Sequence, residues 1–204
     1  MATRRDGEVP SRPYLQLGVS SNVTYTYDES RKEGERITSV WVNGKPIDPK
    51  GTYSVGSGSF LIAGRDNFTE LAKGSKPVDS GKINLSAWVD WIKAHKTLKP
   101  DFAKRAVSLT TSLHEGTSRD TTFTLGKPAD KAVAPDTVDF TSKDAVVNTI
   151  MKAQIVQDDK TVDVATTPVK DGWSSVSVKV PTAKGLVSGE ATTVFTFPDS
   201  GTTV

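Results

Sequence analysis

The stretch from Ser59 to Phe68 holds the residues of this sequence that are best suited to bind a ligand. It follows a predicted strand and has the composition of a loop, with an aromatic side chain at Phe60 and a carboxylate at Asp66. An aromatic ring can stack on a flat base, an interaction worth about 1–3 kcal/mol in nucleic-acid complexes. A neighbouring carboxylate can accept hydrogen bonds from sugar hydroxyls or from a base edge. The pair therefore has the chemistry of a nucleoside-binding site.

A purely structural interpretation of the same residues is also open. Phe60 and Phe68 would then be ordinary core residues, and Asp66 would cap a short turn from Asn67 to Leu71. Composition alone favours this second interpretation, because single aromatic and acidic residues serve structural roles more often than binding roles.

The supply of histidine and cysteine limits the chemistry that the chain can perform. The two histidines, His95 and His114, do not have the spacing of metal ligands, and we predict that the first ends a helix and the second lies in a linker. A dinuclear phosphoesterase centre needs several His and Asp ligands. The absence of cysteine excludes disulfides and thiolate nucleophiles. The sequence therefore predicts no catalytic residue and no metal site in this chain.

The bulk composition excludes several classes of partner. The chain has 204 residues, of which 35% are apolar and 25% charged, and its net charge is +2. That charge is too small for a nucleic-acid footprint, so no nucleic-acid polymer is expected as a partner. No apolar run is long enough to span a membrane. If the protein is exported, its signal sequence lies outside this chain.

The first half of the chain mixes strand signals with one helix. Asn43-Gly44 is a strong hairpin signal after a clear strand. Leu85, Trp88, Val89 and Ile92 recur at helical spacing and predict an amphipathic helix over 85–96, with Asn84 or Ser86 as its N-cap. Strands are predicted at 14–17, 23–27, 36–42, 52–55 and 106–109.

After residues 114–120 the sequence pattern changes, and Thr, Val and Ser alternate over short stretches. Turn signals separate them every eight to twelve residues or so, which is typical of a small β-sandwich. Strands are predicted at 121–125, 146–156, 161–165, 174–180 and 192–197.

The ordered motifs of the first half resemble the C-terminal domain of the 5'-nucleotidase family, which includes UDP-sugar hydrolases and 2',3'-cyclic phosphodiesterases. In that family a strand leads into Asn-Phe, then small residues, then Gly-Gly-Asp-Gly-Phe. The corresponding segments here are Ser59-Phe60, Leu61-Ile62-Ala63 and Gly64-Arg65-Asp66-Asn67-Phe68. Upstream, the matching segments are 14–18, 25–28, 36–37, 42–49 and 52–53. The similarity spans roughly residues 8 to 113.

The resemblance implies a secreted or cell-surface bacterial enzyme that hydrolyses nucleoside 5'-phosphates or related nucleotides. In the family an N-terminal metallophosphoesterase domain carries two divalent metal ions, and the C-terminal domain holds the base between two phenylalanines. Phe60 matches the second of those phenylalanines, and Asp66 matches a nucleoside-binding aspartate. No cofactor is implied for this chain itself.

Two departures from the family pattern affect this assignment. Arg65 and Asn67 replace glycines, which can alter the backbone of the loop or crowd the pocket. The first stacking phenylalanine and the phosphate-facing arginines would lie upstream of Met1. The chain is therefore expected to hold half of a binding site.

These observations lead to one expected architecture and two rival functions. We expect a tail at 1–12, a partial α+β substrate-binding domain at 13–113 that is truncated at its N-terminal side, and an all-β immunoglobulin-like sandwich at 119–204. The sheet of the first domain should be mostly antiparallel or mixed. The rival functions are a non-enzymatic cell-surface binding module and a degenerate remnant of a nucleotidase.

Overall fold

The computed structural model describes residues 17–114, 120–128, 136–140, 144–158, 160–179 and 190–204. The chain divides into two compact units. The first, which we call the loop–helix unit, comprises residues 1–17 and 49–100. The second, the sheet unit, comprises residues 18–48 and 101–204. The predicted strand at 14–17 falls almost wholly outside the described residues.

The sheet unit contains all ten strands of the described structure, which pair into two sheets. In chain order the strands are β1 Val23–Tyr27, β2 Ile37–Val42, β3 Lys45–Pro46, β4 Ala106–His114, β5 Asp120–Gly126, β6 Ile150–Gln157, β7 Lys160–Pro168, β8 Trp173–Lys179, β9 Thr192–Phe197 and β10 Thr202–Thr203. The larger sheet has the order β3-β2-β1-β4-β5-β8, and the smaller has the order β10-β9-β6-β7.

The N-terminal hairpin forms where the sequence predicts it. Strands β1 and β2 are antiparallel, and β2 turns into β3 through Asn43 and Gly44, both of which have positive φ. Positive φ at both central residues is the geometry that two-residue hairpins require, and it explains the Asn-Gly pair. Pro46 lies in β3 at the sheet edge, where its missing N–H costs no ladder bond.

One parallel pairing joins the hairpin to the C-terminal half of the chain. Strand β1 pairs with β4 in parallel, with Tyr25 opposite Ala106 and Tyr27 opposite Ser108. The other strand pairs are antiparallel, so the sheet is mixed, as expected. The predicted division at residues 114–120 falls between β4 and β5, which are antiparallel neighbours in this sheet.

The loop–helix unit is built from short elements and one longer helix. These are α1 Ser59–Ile62, two 3-10 turns at Arg65–Asn67 and Leu71–Lys73, and α2 Asn84–His95. The predicted helix is therefore confirmed. Its N-cap, however, is Ile83, with no side-chain capping bond, so the prediction of Asn84 or Ser86 as the cap was wrong.

Three strand predictions need correction. Residues 52–55 form no strand, because a strand exists only where a partner satisfies its backbone and none pairs here. Strand β6 begins at Ile150 rather than at residue 146, since the backbone N–H groups of Asn148 and Thr149 bond to the side chains of Asp139 and Asp199. Strand β4 continues to His114 beyond the predicted end at residue 109. The strands predicted at 121–125, 161–165, 174–180 and 192–197 are confirmed within one to three residues.

The two sheets share one hydrophobic core. It contains Leu125 and Val178 from the larger sheet and Met151, Ile155 and Phe195 from the smaller, all fully or almost fully buried. Burying one such side chain stabilises the fold by about 1.5–3 kcal/mol. The described structure is thus mostly β with few helices, which agrees with the expected class. Whether the C-terminal strands form an immunoglobulin-like sandwich stays a prediction.

A polar network ties the N-terminal hairpin to the segment 136–140. The hydroxyl of Tyr27 donates to Asp136 Oδ1 at 2.6 Å, and Lys127 Nζ lies 3.1 Å from Asp136 Oδ2 and also pairs with Glu29. The Asp136 side chain is only 4% exposed. A buried carboxylate is expensive to leave unpaired, so these two donors stabilise the junction.

Lys104 forms the second polar connection within the sheet unit. Its backbone N–H donates to Thr202 Oγ1 at 2.8 Å, and its Nζ donates to the Thr137 carbonyl oxygen at 2.7 Å. Nζ also lies 5.2 Å from the centroid of the Phe140 ring. Burial lowers the pKa of the Lys104 ammonium, and the nearby carboxylates of Asp139 and Asp136 oppose that shift only in part.

Substitution of Gly126 by alanine should destabilise the fold more than the same substitution at Gly201, which has a similar backbone conformation but no neighbouring atoms. Gly126 has a φ of +77°, and an added Cβ would overlap with the carbonyl oxygen of Gly172 and lie 3.1 Å from both Trp173 Cα and Val138 Cγ1. Gly201, with a φ of +76°, has nothing within 4 Å of that position. Both substitutions incur about 1–2 kcal/mol of left-handed strain, and Gly126→Ala adds about 1–3 kcal/mol of overpacking. Urea unfolding of the two variants measures the difference, and equal losses would contradict the packing described here.

Lys104→Met should change the pH dependence of stability in the alkaline range. The pKa of Lys104 is lower in the folded chain than the ordinary lysine value of 10.5. At pH values between these two, the unfolded chain therefore binds more protons than the folded chain. The stability of the wild type relative to Lys104→Met should therefore rise through that window and level off above it. Urea unfolding at a series of alkaline pH values tests this, with the exposed Lys152→Met variant as control. A difference that does not change with pH would contradict the prediction.

Candidate functional site

The predicted binding loop folds as a short helix followed by a tight turn. Helix α1 begins after Gly58, whose carbonyl oxygen accepts hydrogen bonds from the N–H groups of Leu61 and Ile62, both at 3.0 Å. The helix ends at Ile62, and Gly64, which precedes the first 3-10 turn, has a φ of +75°. A Cβ on Gly64 would lie 3.1 Å from Ala72 Cβ, so glycine is needed here both for the conformation and for the close approach of the second 3-10 turn.

Asp66 and Asn67 both adopt the left-handed conformation, with φ of 53° and 66°. Asn and Asp are the residues besides glycine that tolerate this region best. Asn67 therefore occupies a glycine position of the family pattern without abandoning a glycine-like backbone. Arg65, at the other such position, is not among the described residues with positive φ.

In the described structure Phe60 and Asp66 do not make the contacts of the structural alternative. Phe60 is 57% exposed, so it is not a core residue, whereas Phe68 is half-buried. Neither 3-10 turn of this stretch, Arg65–Asn67 or Leu71–Lys73, has a side-chain capping bond, so no described hydrogen bond gives Asp66 a capping role. The Asp66 side chain is exposed. The structure leaves both predicted site residues open to solvent on neighbouring elements, since α1 contacts the turn that contains Asp66.

A groove of about 520 Å³ runs beside α1 within the loop–helix unit. Its walls include Ser59, Ile62 and Ala63 from α1 and Asp79 and Lys82 from the stretch before α2. Phe60 and Asp66 are not among its lining residues, so this groove does not bring the two predicted site residues together. No sequence pattern predicted this groove, because its walls come from segments without a periodic pattern.

Helix α2 has the amphipathic pattern of the sequence prediction, but its apolar side is open. Leu85 is 72% exposed and Trp88 63% exposed, and Val89 and Ile92 are exposed as well. At the end of the helix the His95 ring stacks on Trp91 with ring centroids 4.1 Å apart, and its Nδ1 lies 2.8 Å from the Trp91 carbonyl oxygen. The interpretation of His95 as a helix-end residue is confirmed.

The remaining predictions about the site concern metals and membranes. His114 ends strand β4, and its side chain lies outside the described residues. Within the described ranges, no group of three or more His, Asp or Glu side chains is positioned to hold a metal ion. No helix in the same part of the chain is long and apolar enough to cross a membrane.

Comparison with known proteins agrees with the resemblance noted in the sequence. Residues 3–73 match the family model described as 5'-nucleotidase, C-terminal domain. A 5'-nucleotidase-related protein from Glossina morsitans morsitans is 35% identical over 101 residues, which cover 46% of this chain and 18% of the relative. The chain thus spans less than a fifth of the length of that relative. No solved structure matches the chain. The resemblance predicted from the sequence is therefore confirmed over residues 3–73, which include Phe60 and Asp66: this segment is similar to the 5'-nucleotidase C-terminal domain.

Proposed function

We propose that this chain is the substrate-binding C-terminal part of a secreted or cell-surface 5'-nucleotidase that hydrolyses nucleoside 5'-phosphates or related nucleotides. The observation that carries the proposal is the position of Phe60 and Asp66. Both lie inside the segment that matches the family model, and both side chains are open to solvent. Open, chemically suitable side chains in a family-matching loop are what a binding role requires.

The role of each residue follows from its chemistry. The Phe60 ring offers a flat apolar face on which a purine or pyrimidine base stacks, and stacking is tolerant of base identity because every base has a π-face. The Asp66 carboxylate accepts hydrogen bonds from the ribose hydroxyls. Its backbone is held by the left-handed turn that begins at Gly64, so the carboxylate is presented from a defined position.

Catalysis is assigned to a domain outside this chain. Hydrolysis of a phosphate ester by two divalent metal ions requires a ligand set rich in histidine and aspartate, and the whole chain has two histidines. We assign both metal ions to an N-terminal metallophosphoesterase domain of the same protein. In this arrangement the chain binds and orients the nucleoside, while the other domain catalyses hydrolysis of the phosphate ester.

A second candidate is that the chain is a remnant or a binding module without enzymatic function. The observation that favours it is the loop–helix unit, in which no described residue is buried. A unit without an interior should have marginal stability on its own. Nucleoside binding distinguishes the two candidates, because a remnant has no reason to bind through Phe60 and Asp66.

Phe60→Ala should weaken nucleoside binding by roughly fivefold to a hundredfold, the equivalent of about 1–3 kcal/mol of lost stacking. Asp66→Ala should weaken it to a similar extent, by removing the acceptor for the sugar hydroxyls. Titration of ¹⁵N-labelled chain with adenosine and with AMP, followed by NMR, measures both effects even when binding is weak.

Matched controls separate this effect from a general change in the surface. Trp91→Ala removes another exposed aromatic ring of the same unit, and Asp144→Ala removes an exposed carboxylate of the sheet unit. Both should leave the titrations unchanged. If adenosine binds equally well to the Phe60 and Asp66 variants, the proposed site is wrong.

The purified chain should not hydrolyse AMP, with or without added Mg²⁺, Mn²⁺ or Zn²⁺. The reason is that the proposed division of labour places the whole metal centre on another domain. Release of inorganic phosphate is the measurement, with a protein-free metal blank as the control. Metal-dependent release that scales with the concentration of the pure chain would overturn the assignment.

A further inference from the structure

The turn between β2 and β3 pairs an asparagine with a residue that cannot shield its own backbone nitrogen. We call Asn43-Gly44 the hairpin turn. Asn43 is the one asparagine of the sequence that glycine follows. The side-chain amide of an asparagine can be attacked by the backbone nitrogen of the next residue, which closes a five-membered succinimide ring. Side chains hinder this attack, and glycine has none. The hairpin turn therefore contains a pair of residues that can react with each other.

The structure leaves both reacting groups accessible. Asn43 and Gly44 are exposed, and a Cβ built on Gly44 would have nothing within 4 Å. Among the described residues, none accepts a hydrogen bond from the Gly44 N–H. Strand β3, which follows the turn, consists of Lys45 and Pro46 alone and lies exposed at the edge of the sheet. Little packing therefore opposes the backbone rotation that ring closure requires.

The side-chain amide of Asn43 is oriented by Asn22. Asn22 Nδ2 donates to Asn43 Oδ1 at 3.2 Å, and the Asn43 backbone N–H donates to the Asn22 carbonyl oxygen at 2.8 Å. Oδ1 gains negative charge when a nucleophile adds to Cγ, so a donor that already points at this oxygen stabilises the addition step. Within the described part of the chain, Asn43 Nδ2, the nitrogen that would leave, donates to no residue.

We infer that Asn43 is a site of spontaneous deamidation, at which the chain converts its own hairpin turn to aspartate and isoaspartate. The Gly44 nitrogen adds to Asn43 Cγ and gives up its proton to solvent, and the bond from Cγ to Nδ2 breaks as Nδ2 takes up a proton and leaves as ammonia. Water then opens the ring. Cleavage of the bond between the Gly44 nitrogen and Cγ gives aspartate, and cleavage of its bond to the main-chain carbonyl carbon gives isoaspartate. The inference does not depend on the proposed function.

The isoaspartate product would change the structure at the sheet edge. Isoaspartate routes the main chain through Cγ and so lengthens the backbone of the turn by one carbon atom. The length of a hairpin turn sets the register of the strands that it joins. The pairing of Trp41 with Pro46 and of Val42 with Lys45 should therefore be lost. Strand β2 keeps its separate pairing with β1, so the change should stay local.

A second turn of the chain has a similar backbone conformation but is held by packing. Asp171 and Gly172 have φ of 50° and 73°, close to the values of the hairpin turn. Gly172 is buried, and its carbonyl oxygen accepts a hydrogen bond from the Val138 N–H at 2.8 Å. The flanking Lys170 and Trp173 exchange two backbone hydrogen bonds of 3.0 and 3.1 Å. Ring closure here would require these contacts to open, so an asparagine at position 171 should be protected.

The variant Asp171→Asn allows both turns to be compared in one molecule. The folded chain is incubated at mildly alkaline pH in H₂¹⁸O, and peptide mapping by mass spectrometry follows the loss of each amide. The heavy oxygen marks residues that are converted during the incubation. Position 43 should lose its amide at least about tenfold faster than position 171, because only the second turn must first unfold locally. In concentrated urea the two rates should be equal. A protein L-isoaspartyl methyltransferase should methylate the product at position 43.

The variant Gly44→Ala is the matched control for the attack itself. Its methyl group shields the attacking nitrogen and meets no neighbouring atom, so loss of the amide at position 43 should slow. Cooperative urea unfolding verifies that each variant is folded, and the wild-type chain alone already tests position 43. An amide at Asn43 that persists in the folded chain while the urea-unfolded chain loses it would overturn the inference. So would equal rates at positions 43 and 171 in the folded variant, or aspartate formed without isoaspartate.

Discussion

The parallel pairing of β1 with β4 is the constraint on which the rest of the described structure depends. It brings Tyr25 opposite Ala106 and holds the N-terminal hairpin in the same sheet as the C-terminal strands. Parallel neighbours cannot be joined by a tight turn and need a long crossover connection. In this chain the connection from β1 to β4 passes through β2 and β3 and then through residues 49–100 of the loop–helix unit. The proposed nucleoside-binding residues therefore lie in a connection whose two ends are fixed by the sheet.

This arrangement divides the matched sequence between two units with different physical characters. Residues 18–48 contribute to a sheet with a buried core and a polar network around Asp136 and Lys104. Residues 49–73 belong to a unit whose described side chains are all at least partly exposed. The same feature makes the loop accessible for a ligand.

The parts of the fold that the sequence predicted are those in which local chemistry decides the conformation. Asn43-Gly44 specifies its own turn, and the spacing of the apolar residues from Leu85 to Ile92 specifies a helix. Residues 52–55 have strand-like composition but find no partner, which no local pattern could reveal. The pairing of β1 with β4 across some eighty residues of sequence was equally invisible, because long-range pairing is set by the whole fold.

For the site, too, the sequence predicted some features and not others. The identity of Phe60 and Asp66 as candidates came from residue type and from the resemblance of their loop, while their exposure and the left-handed turn at Asp66 required coordinates. The openness of α2 could not be predicted either. An amphipathic pattern shows that one side of a helix seeks a partner, but it does not show whether the same chain supplies that partner.

The central claim is that this chain is the C-terminal part of a larger nucleotidase, and the apparent mass of the native protein tests it most directly. An antibody raised against the chain would be used to probe immunoblots of cells, wall fraction and medium from the source organism. The account predicts a band several tens of kilodaltons heavier than the 21.9 kDa of this chain, in the medium or wall fraction. A single band at 21.9 kDa would contradict it.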